Sequence, residues 1–291
     1  MKLPKLPPKA AYLTLSNPTR RNALSLPVLR SLRDQLHSYT RSPVDGYCRL
    51  LPGFVPAHLG LLGEPQNEWL VDADKWRAER AGLPHVLVLR SEPASSSSSS
   101  SSDVFSSGHD LREMEQHQSP RETEQTFELC AEVMSLIRHF PGPVVSVVTG
   151  LATAAGAQLA LSADLPIACA ERASFQLPGM SVLGLPCTSP VTAVSRRLGL
   201  GMGYRMFALG EPVRASDLPQ SSNVEVVQGG PDAVEQRVAE VVEKLAYAGD
   251  GDGYVEAARW AAGVMALHAR SEDAREGVRA FLEKREPKWR T

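Results

Sequence analysis

The chain has 291 residues, 43% of them hydrophobic, and its 31 Lys and Arg against 33 Asp and Glu give a formal net charge of −2 at pH 7. This composition can bury the core of one large domain or two small ones, and the near-neutral charge argues against nucleic acid as a partner. Four cysteines without a CxxC pair argue against disulfides and zinc, and no apolar run reaches the roughly 18 residues of a membrane span.

Hydrophobic patterning predicts two strands and a helix towards the amino-terminal end. Ala10–Ser16 is β-prone and runs into an Asn-Pro turn signal. Ser25–Thr40 predicts a helix, with Ser25 as N-cap and leucines at helical spacing. Prolines break the pattern over Arg41–Leu83, which predicts an irregular excursion with one short helix near Asp72–Ala81. His85–Ser91 then predicts a buried strand.

A run of eight serines, Ser95–Ser102, follows this strand and predicts a solvated loop, because a polar homopolymer cannot pack a core. Glu122–Phe140 predicts a long amphipathic helix, and Val144–Gly150 predicts another buried strand. The remaining predicted elements are short strands at 165–170 and 173–178, helical pieces within 188–210, and a mainly helical stretch from Asp232 to Phe281 interrupted by a loop at Gly249–Gly253.

The alternation of strands and helices predicts an α/β fold. We expect a core over residues 1–210, which contains the irregular insertion 41–83 and the Ser-rich loop 93–103. A helical carboxyl-terminal region, residues 211–291, follows the core.

Two segments of small residues suggest binding by backbone amides. In GLATAAGAQLALSAD, a strand is followed by Ala154–Ala157 and then by an apolar helical pattern. In FSSGHDL, Ser106–Gly108 has the same character. Either segment alone is interpreted as a tight strand-to-helix turn. Both together, in this order, indicate two N–H groups that converge on the oxygen of a thioester or its enolate.

At this point the sequence resembles the crotonase (enoyl-CoA hydratase/isomerase) superfamily, through the motifs NPTRRNALS, FSSGHDL, GLATAAGAQLALSADLPIA, ASFQLPGMSVLGLP and AREGVRAFLEKREPKW. The resemblance implies a crotonase-like spiral of ββα repeats with a helical carboxyl-terminal oligomerisation region, assembled as a homotrimer or hexamer. It implies acyl-CoA as partner, a CoA thioester as substrate or ligand, no permanently bound cofactor, and no bound metal. The insertion 41–83 is longer than the usual connection between the preceding helix and the following strand in the family. Two explanations are open: an elaborated active-site rim, or mis-spliced sequence in the gene model.

The resemblance also implies roles for individual residues. The backbone amides of His109 and Ala155 would form the oxyanion hole. Arg20 and Arg21 would contact the phosphates of CoA, with Ala23 and Leu24 near its nucleotide. Phe281 and Lys284 would add contacts to CoA, in this subunit or a neighbouring one.

Two departures from the family pattern bear on the reaction. Hydratases carry one Glu two residues after the small triplet and another at the end of a QPE strand. Here these positions are Gln158 and Gly179. Since an amide cannot take up a proton at neutral pH, the usual acid–base pair is absent. Asp110 and Asp164 are expected to have structural roles.

Three other side chains are candidates to replace the missing pair of glutamates. The ring of His109 titrates near neutrality, but its implied role is through the backbone. Glu113 is expected to be a solvated carboxylate on a helix surface, with a position in the cavity as the alternative. Cys187 lies near the implied acyl pocket, but no His partner is evident.

The sequence therefore predicts an acyl-CoA-binding protein of fatty-acid metabolism with weak or no hydratase activity. Hydrolysis, isomerisation or decarboxylation through another base are open alternatives. A non-catalytic acyl-CoA sensor or scaffold is the alternative from another class, and a nonfunctional gene product is a third. Residues 1–15 show neither a secretory signal nor a mitochondrial presequence. Family resemblance nevertheless implies a mitochondrial location, with the cytoplasm and peroxisome as alternatives.

Overall fold

The computed structural model describes residues 3–52, 64–70, 72–92, 104–116, 119–184, 191–248 and 272–288. The strands are β1 (Ala10–Leu15), β2 (Val86–Ser91), β3 (Val104–Ser106), β4 (Val144–Val148), β5 (Leu151–Thr153), β6 (Leu165–Cys169), β7 (Ser174–Gln176), β8 (Val213–Arg214) and β9 (Glu225–Val227). The helices are α1 (Leu26–Thr40), α2 (Ala73–Glu79), α3 (Leu111–Glu115), α4 (Pro120–Arg138), α5 (Ala155–Ser162), α6 (Val191–Leu209), α7 (Gly230–Ala248) and α8 (Glu272–Leu282). None of the helices in these residues combines the length and apolar character needed to cross a bilayer.

The strands form two sheets. The larger sheet is parallel, in the order β1-β2-β4-β6-β9. The smaller sheet has the order β3-β5-β7-β8, in which β3, β5 and β7 are parallel and β8 is antiparallel. Three times, a strand of the larger sheet is followed by a short strand of the smaller sheet and then by helix: β2-β3-α3, β4-β5-α5 and β6-β7-α6. The predicted α/β spiral of ββα repeats is confirmed.

The core lies between the larger sheet and helices α1, α4 and α5. Every residue of β4 is buried, as expected for a parallel strand covered on both faces. In α1, Leu29, Leu32 and Leu36 are completely buried, which confirms the face predicted from their spacing. α1 packs against α4, and α5 follows β5 beneath the smaller sheet.

The described part of the insertion is anchored to this core. The short helix predicted there is confirmed as α2, which Asp72 caps by accepting N–H bonds from Asp74 and Lys75. A 3₁₀ turn at Pro65–Leu70 was not predicted. Its Trp69 is buried and stacks on Trp76 of α2, with the ring centroids 5.3 Å apart.

Arg80 ties the end of the insertion to the body of the protein. The residue is 2% exposed, and its guanidinium donates to the carbonyl oxygens of Tyr39, at 2.8 Å, and Pro84. It also lies over the ring of Phe140, 5.2 Å from the centroid. Burial lowers the pKa of Arg80 to about 10, so the group stays charged at neutral pH.

Asn22 holds together the two ends of the Ser-rich loop. The loop itself, residues 93–103, lies outside the described residues. The side-chain amide of Asn22 donates to the carbonyl oxygens of Glu92, at 3.1 Å, and Val104, at 3.0 Å. Because one buried group holds both ends, the chain leaves and re-enters the fold at the same point.

The structure corrects some predicted boundaries. β5 interrupts the stretch that was predicted to lead directly from β4 into a helix. β3 agrees with the strand end predicted before the small residues of FSSGHDL, whereas β8 and β9 were not predicted. The helical pieces within 188–210 form α6, which is kinked at Gly199, where φ is 80°. Within the helical stretch predicted from Asp232 to Phe281, α7 and α8 are confirmed, while residues 249–271, which include the predicted loop Gly249–Gly253, fall outside the described residues.

Candidate functional site

Three neighbouring strands of the smaller sheet end at the same edge. β3, β5 and β7 are parallel, and their carboxyl ends lead to His109, Ala155 and Gly179, respectively. In parallel sheets this edge is where ligands usually bind. The fold therefore brings together three positions that are far apart in the sequence, with Gln158 in the first turn of α5 beside them.

Two of these connections touch each other. We call Ser106–Asp110 the His109 turn and Thr153–Ala157 the Ala155 turn. A Cβ added to Gly108, where φ is +83°, would lie 2.8 Å from the Cβ of Ala154 and 3.3 Å from the backbone nitrogen of Ala155. Any side chain at Gly108 would push the two turns apart, so glycine sets their close approach.

The Ala155 turn exposes the first amides of a helix. Ala154 has φ 52° and ψ −126°, an uncommon conformation for a non-glycine residue, and its N–H donates to the Gln176 carbonyl at 2.8 Å. The first hydrogen bond of α5 runs from the Gln158 N–H to the Ala154 carbonyl, at 3.2 Å. The N–H groups of residues 155–157 therefore have no hydrogen-bond acceptor within the helix, and they lie at the positive end of the helix dipole.

The amide of His109 points away from Leu24. Leu24 forms a parallel bridge with His109, donating to the Gly108 carbonyl at 2.8 Å and accepting from the Asp110 N–H at 3.3 Å. In a parallel ladder, the N–H of the bridged residue points away from the partner that flanks it. The Ala155 turn approaches the same segment at Gly108.

The RRNAL segment, Arg20–Leu24, supports the His109 turn through hydrogen bonds. The hydroxyl of Ser106 donates to the Asn22 carbonyl at 2.8 Å and accepts from the Gly108 N–H at 3.2 Å. The Ser107 N–H donates to the Arg21 carbonyl at 3.1 Å. Arg21 and Asn22 both have positive φ, 54° and 52°, which turns their carbonyls towards the His109 turn. The side chain of Arg21 is exposed.

Arg20 does not point freely into solvent. Its Nη1 donates to both carboxylate oxygens of Asp110, at 3.0 and 2.9 Å. The same carboxylate caps α3 by accepting from the N–H groups of Arg112 and Glu113. Asp110 therefore has the structural role expected for it. Arg20, which the resemblance implies to contact the phosphates of CoA, forms an ion pair with Asp110.

The other residues expected near CoA fall into two groups. Ala23 and Leu24 are buried, with 5% and 0% of their surface exposed. Phe281 on α8 is 82% exposed, and Lys284 follows the helix with φ 53°.

The imidazole of His109 is an uncharged buried group. Burial lowers its pKa from 6.5 to about 4, while the neighbouring backbone of Leu24 opposes this shift. The ring contacts Phe127 edge to face, with centroids 5.0 Å apart. Its Nδ1 has no hydrogen-bond partner among the described residues, and neither does the buried hydroxyl of Thr153. No pattern in the sequence indicates a role for Thr153.

Gln158 and Gly179 place no carboxylate beside the two turns. Gln158 is 2% exposed and Gly179 is buried in a π-helical turn at Gly179–Leu183. The side-chain amide of Gln158 can donate and accept hydrogen bonds but cannot transfer a proton near neutral pH. Within the described part of the chain, no group of three or more His, Cys, Asp and Glu could hold a metal ion.

Glu113 was wrongly predicted to be a solvated carboxylate. It is half-buried, and its Oε2 accepts from the N–H of Leu26, at 2.9 Å. Ser25 occupies the N-cap position of α1 as predicted, but its side chain makes no capping bond. Glu113 caps α1 in its place, where the helix dipole stabilises a negative charge. Cys187 lies outside the described residues.

The opposite end of α5 is held by charged groups. Asp164 accepts from the Val144 N–H at 2.9 Å, which agrees with its expected structural role, and burial raises the pKa of its carboxyl. Arg197 donates to the carbonyls of Leu161, at 2.7 Å, and Asp164, at 3.0 Å. A cleft of about 470 Å³ opens at this end, next to Arg138 and Arg197. It is separated from the two turns by the length of α5.

Comparison with known proteins identifies similar chains. The family model described as "Enoyl-CoA hydratase/isomerase" matches residues 98–291. "Enoyl-CoA hydratase domain-containing protein 3, mitochondrial" of Rattus norvegicus is 30% identical over 95% of this chain and 80% of its own length. The protein of the same name from Mus musculus is 31% identical, with the same coverage.

Solved structures are similar over nearly the whole chain. The crystal structure of human enoyl-CoA hydratase domain-containing protein 3 has a TM-score of 0.62 and 27% identity, and covers 98% of both chains. The crystal structure of an enoyl-CoA hydratase from Mycobacterium smegmatis has a TM-score of 0.61 and 28% identity, and covers 97% of this chain and 95% of that one.

Proposed function

The chain belongs to the enoyl-CoA hydratase/isomerase family, and we propose that it binds acyl-CoA thioesters and polarises their carbonyl group with the amides of His109 and Ala155. The observation that carries this proposal is the contact of the His109 turn with the Ala155 turn at Gly108. Two N–H groups held by rigid backbone and facing one space can stabilise the oxyanion of an enolate or a tetrahedral intermediate.

The surroundings support electrostatic stabilisation at this point. The Ala155 amide belongs to the amino terminus of α5, where the helix dipole favours negative charge. Both turns are fixed by backbone hydrogen bonds, so little reorganisation is needed when charge develops. Removing one such donor in an enzyme typically lowers kcat by about a hundred- to a thousandfold.

Proton transfer is the weaker part of the site. Gln158 and Gly179 stand where relatives within the family would hold glutamates, and general acid–base catalysis contributes about a hundred- to ten-thousandfold. Hydration of crotonyl-CoA by this protein is therefore weak or absent. The neutral imidazole of His109 and the carboxylate of Glu113 are the side chains that we propose would replace the missing pair in any turnover.

The ligand's nucleotide end is proposed to lie beside the RRNAL segment. The exposed side chain of Arg21 can contact a phosphate there. The exposed Phe281 suits contact with the CoA of a neighbouring subunit, with Lys284 close by in sequence, in a homotrimer or hexamer. CoA thioester is the substrate or ligand, and no permanently bound cofactor is required.

We further propose a mitochondrial role in fatty-acid metabolism. The support is the word "mitochondrial" in the printed names of the similar rat and mouse proteins.

A non-catalytic acyl-CoA sensor or scaffold is the second candidate. The specific observation that favours it is the absence of carboxylates at both Gln158 and Gly179, combined with intact turns. Such a protein would bind the thioester carbonyl without converting it.

Binding and turnover measured together test the proposal. Calorimetry with butyryl-CoA and crotonyl-CoA is expected to show binding that Gly108→Ala weakens at least tenfold, because its Cβ would separate the two turns. Gly82→Ala is the matched control: Gly82 also has positive φ, +73°, but a Cβ there meets nothing within 4 Å. Absence of acyl-CoA binding by the wild-type protein would refute the proposal.

Turnover separates the two candidate functions. Release of free CoA, hydration and α-proton exchange are followed across a panel of acyl-CoA thioesters. Conversion of any of these that is lost in Gly108→Ala but kept in Gly82→Ala supports an enzyme. Binding without conversion of any panel member supports the sensor or scaffold.

A further inference from the structure

Arg20 and Asp110 are separated by 90 positions in the sequence but form an ion pair at the His109 turn, with Nη1 2.9 and 3.0 Å from the two carboxylate oxygens. The side chain of Asp110 is 6% exposed, whereas that of Arg20 is 45% exposed. The buried carboxylate accepts from two backbone N–H groups of α3 as well as from Arg20. Asp110 therefore has fixed partners on both sides, and it directly follows the residue that supplies one of the two amides.

The direction of the His109 N–H depends on the peptide groups on both sides of it. On the preceding side, Gly108 is held firmly, by Ser106 Oγ at 3.2 Å and by the Leu24 N–H at 2.8 Å. On the following side, the only backbone bond from Asp110 towards the RRNAL segment in the described structure is the 3.3 Å contact with the Leu24 carbonyl. That contact is longer than the 2.8 Å bond on the preceding side, and the charged pair with Arg20, at 2.9 and 3.0 Å, adds a shorter link from Asp110 to the same segment.

We propose that Arg20 is a positioning residue, which aims the His109 amide through Asp110 and does not serve as a phosphate contact. This inference rests on the proposed function of the two turns. A charge-assisted pair is roughly twice as strong as a neutral hydrogen bond, and it joins the RRNAL segment directly to the residue after His109. Loss of the pair leaves the 3.3 Å contact with the Leu24 carbonyl as the remaining bond from Asp110 to this segment, and the His109 turn is then free to rotate away from the Ala155 turn.

Arg21 provides the internal comparison. It lies next to Arg20, and its carbonyl also supports the His109 turn through Ser107. Its guanidinium, however, is exposed and forms no ion pair with any described residue. The two arginines therefore have different roles. The guanidinium of Arg20 is paired with Asp110 of the turn, whereas the guanidinium of Arg21 is available to bind an anionic ligand.

The test uses two probes and the full chain. The first is 3′-phosphoadenosine 5′-diphosphate, which carries the charged end of CoA without a thioester. The second is an aryl-conjugated enoyl-CoA, whose absorption band moves to longer wavelength when its carbonyl is polarised. The variants are Arg20→Ala, Arg20→Lys, Arg21→Ala and, as a control on the outer face of α1, Arg33→Ala.

We expect Arg20→Ala to abolish most of the absorption shift and to lower any kcat about ten- to a hundredfold, as expected for a misplaced catalytic amide. Its affinity for 3′-phosphoadenosine 5′-diphosphate stays within twofold of wild type. Arg20→Lys restores part of the shift, because an ammonium group can still pair with Asp110. Arg21→Ala weakens nucleotide binding, more at low salt than at high salt, and Arg33→Ala changes neither probe.

The opposite pattern overturns the inference. If Arg20→Ala weakens nucleotide binding as much as Arg21→Ala and keeps the full absorption shift, Arg20 is a phosphate contact. An unchanged shift and unchanged nucleotide affinity would also refute a positioning role. Circular dichroism and melting temperature identify a variant that has unfolded. If Arg20→Ala has unfolded, the two probes measured on Arg20→Lys decide whether Arg20 positions the turn or contacts a phosphate. A wild-type protein that binds the nucleotide but polarises no carbonyl refutes the proposed function, which is a separate result.

Discussion

Gly156, in the first turn of α5, packs directly against Ser106 at the end of β3. A Cβ added to Gly156 would lie 2.6 Å from the Cβ of Ser106 and 2.7 Å from its backbone oxygen. The absence of a side chain at Gly156 thus sets the distance between the strand that precedes the His109 turn and the helix that begins in the Ala155 turn.

Gly156→Ala is expected to destabilise the protein by about 1–3 kcal/mol, because an added methyl group cannot be accommodated against backbone. Gly201→Ala is the matched control, since Gly201 is also helical and a Cβ there would meet nothing within 4 Å. The control should be neutral or stabilising by up to about 1 kcal/mol. Urea denaturation followed by circular dichroism measures both changes. Equal stability of the two variants would contradict the tight packing at Ser106.

Restoring carboxylates at Gln158 and Gly179 is expected to increase hydration of crotonyl-CoA. Each acid or base group typically contributes about a hundred- to ten-thousandfold, so the double variant Gln158→Glu/Gly179→Glu should exceed a very low wild-type rate. Loss of crotonyl-CoA absorbance measures the rate. Gln125→Glu, on the exposed face of α4, should change nothing. Brisk hydration by the wild-type protein would show that another group already transfers the proton.

The buried imidazole of His109 predicts a pH-dependent stability. Its pKa is about 4 in the folded protein against 6.5 for the ordinary group. As the pH falls from about 6.5 to about 4, the unfolded chain takes up a proton that the folded chain does not. The free energy of unfolding therefore decreases over this range, by at most about 3 kcal/mol from this residue, and the contribution is complete above pH 6.5.

Denaturation curves at several pH values, for wild type and His109→Gln, measure this contribution. The difference between the two proteins removes the effect of other groups, such as Asp164, whose raised pKa works in the opposite direction. The stability of the variant should fall less steeply below pH 6.5. Parallel curves for the two proteins would mean that His109 is accessible to protons in the folded state.

Deletion of Ser95–Ser102 is expected to have little effect on stability. The amide of Asn22 already joins Glu92 and Val104, and the entropy of closing a loop changes only slowly with its length. Asn22→Ala should instead cost about 1–3 kcal/mol, because it removes the hydrogen bonds that the buried amide donates to two part-buried carbonyls. Thermal unfolding distinguishes the two. A large decrease in melting temperature after the deletion alone would show that the serines contribute packing.

The protein is expected to be a trimer or hexamer. Val278, Phe281 and Leu282 of α8 are 63%, 82% and 74% exposed in the single chain, which is unusual for large apolar side chains on one helix. Light scattering at micromolar concentration measures the mass. Phe281→Ser should weaken assembly, whereas a wild-type protein that is only monomeric would contradict the prediction.

Local patterns in the sequence were sufficient for the larger elements. The leucine spacing of α1 and the apolar runs of β2 and β4 correctly predicted those elements, because each pattern lies within one element. β5 escaped prediction because three residues between Gly150 and Ala154 are too short to show any periodicity.

For the candidate site, short motifs predicted the two turns but not what holds them. The contact between Gly108 and Ala154 follows from small residues that are visible in the sequence. The pairing of Arg20 with Asp110 and the capping of α1 by Glu113 join residues that are distant in the chain. Such partners depend on how the elements pack, and no spacing in a single sequence specifies them.

Asn22 also separates two parts of the protein that differ in their tolerance to change. Its carbonyl supports Ser106 in the His109 turn, while its side chain holds the base of the Ser-rich loop. Because the base of the loop is clamped, we expect residues added between Glu92 and Val104 to leave the hydrogen bonds of the His109 turn in place. A fluorescent reporter or an affinity peptide inserted there is expected to leave the contact between the His109 turn and the Ala155 turn unchanged.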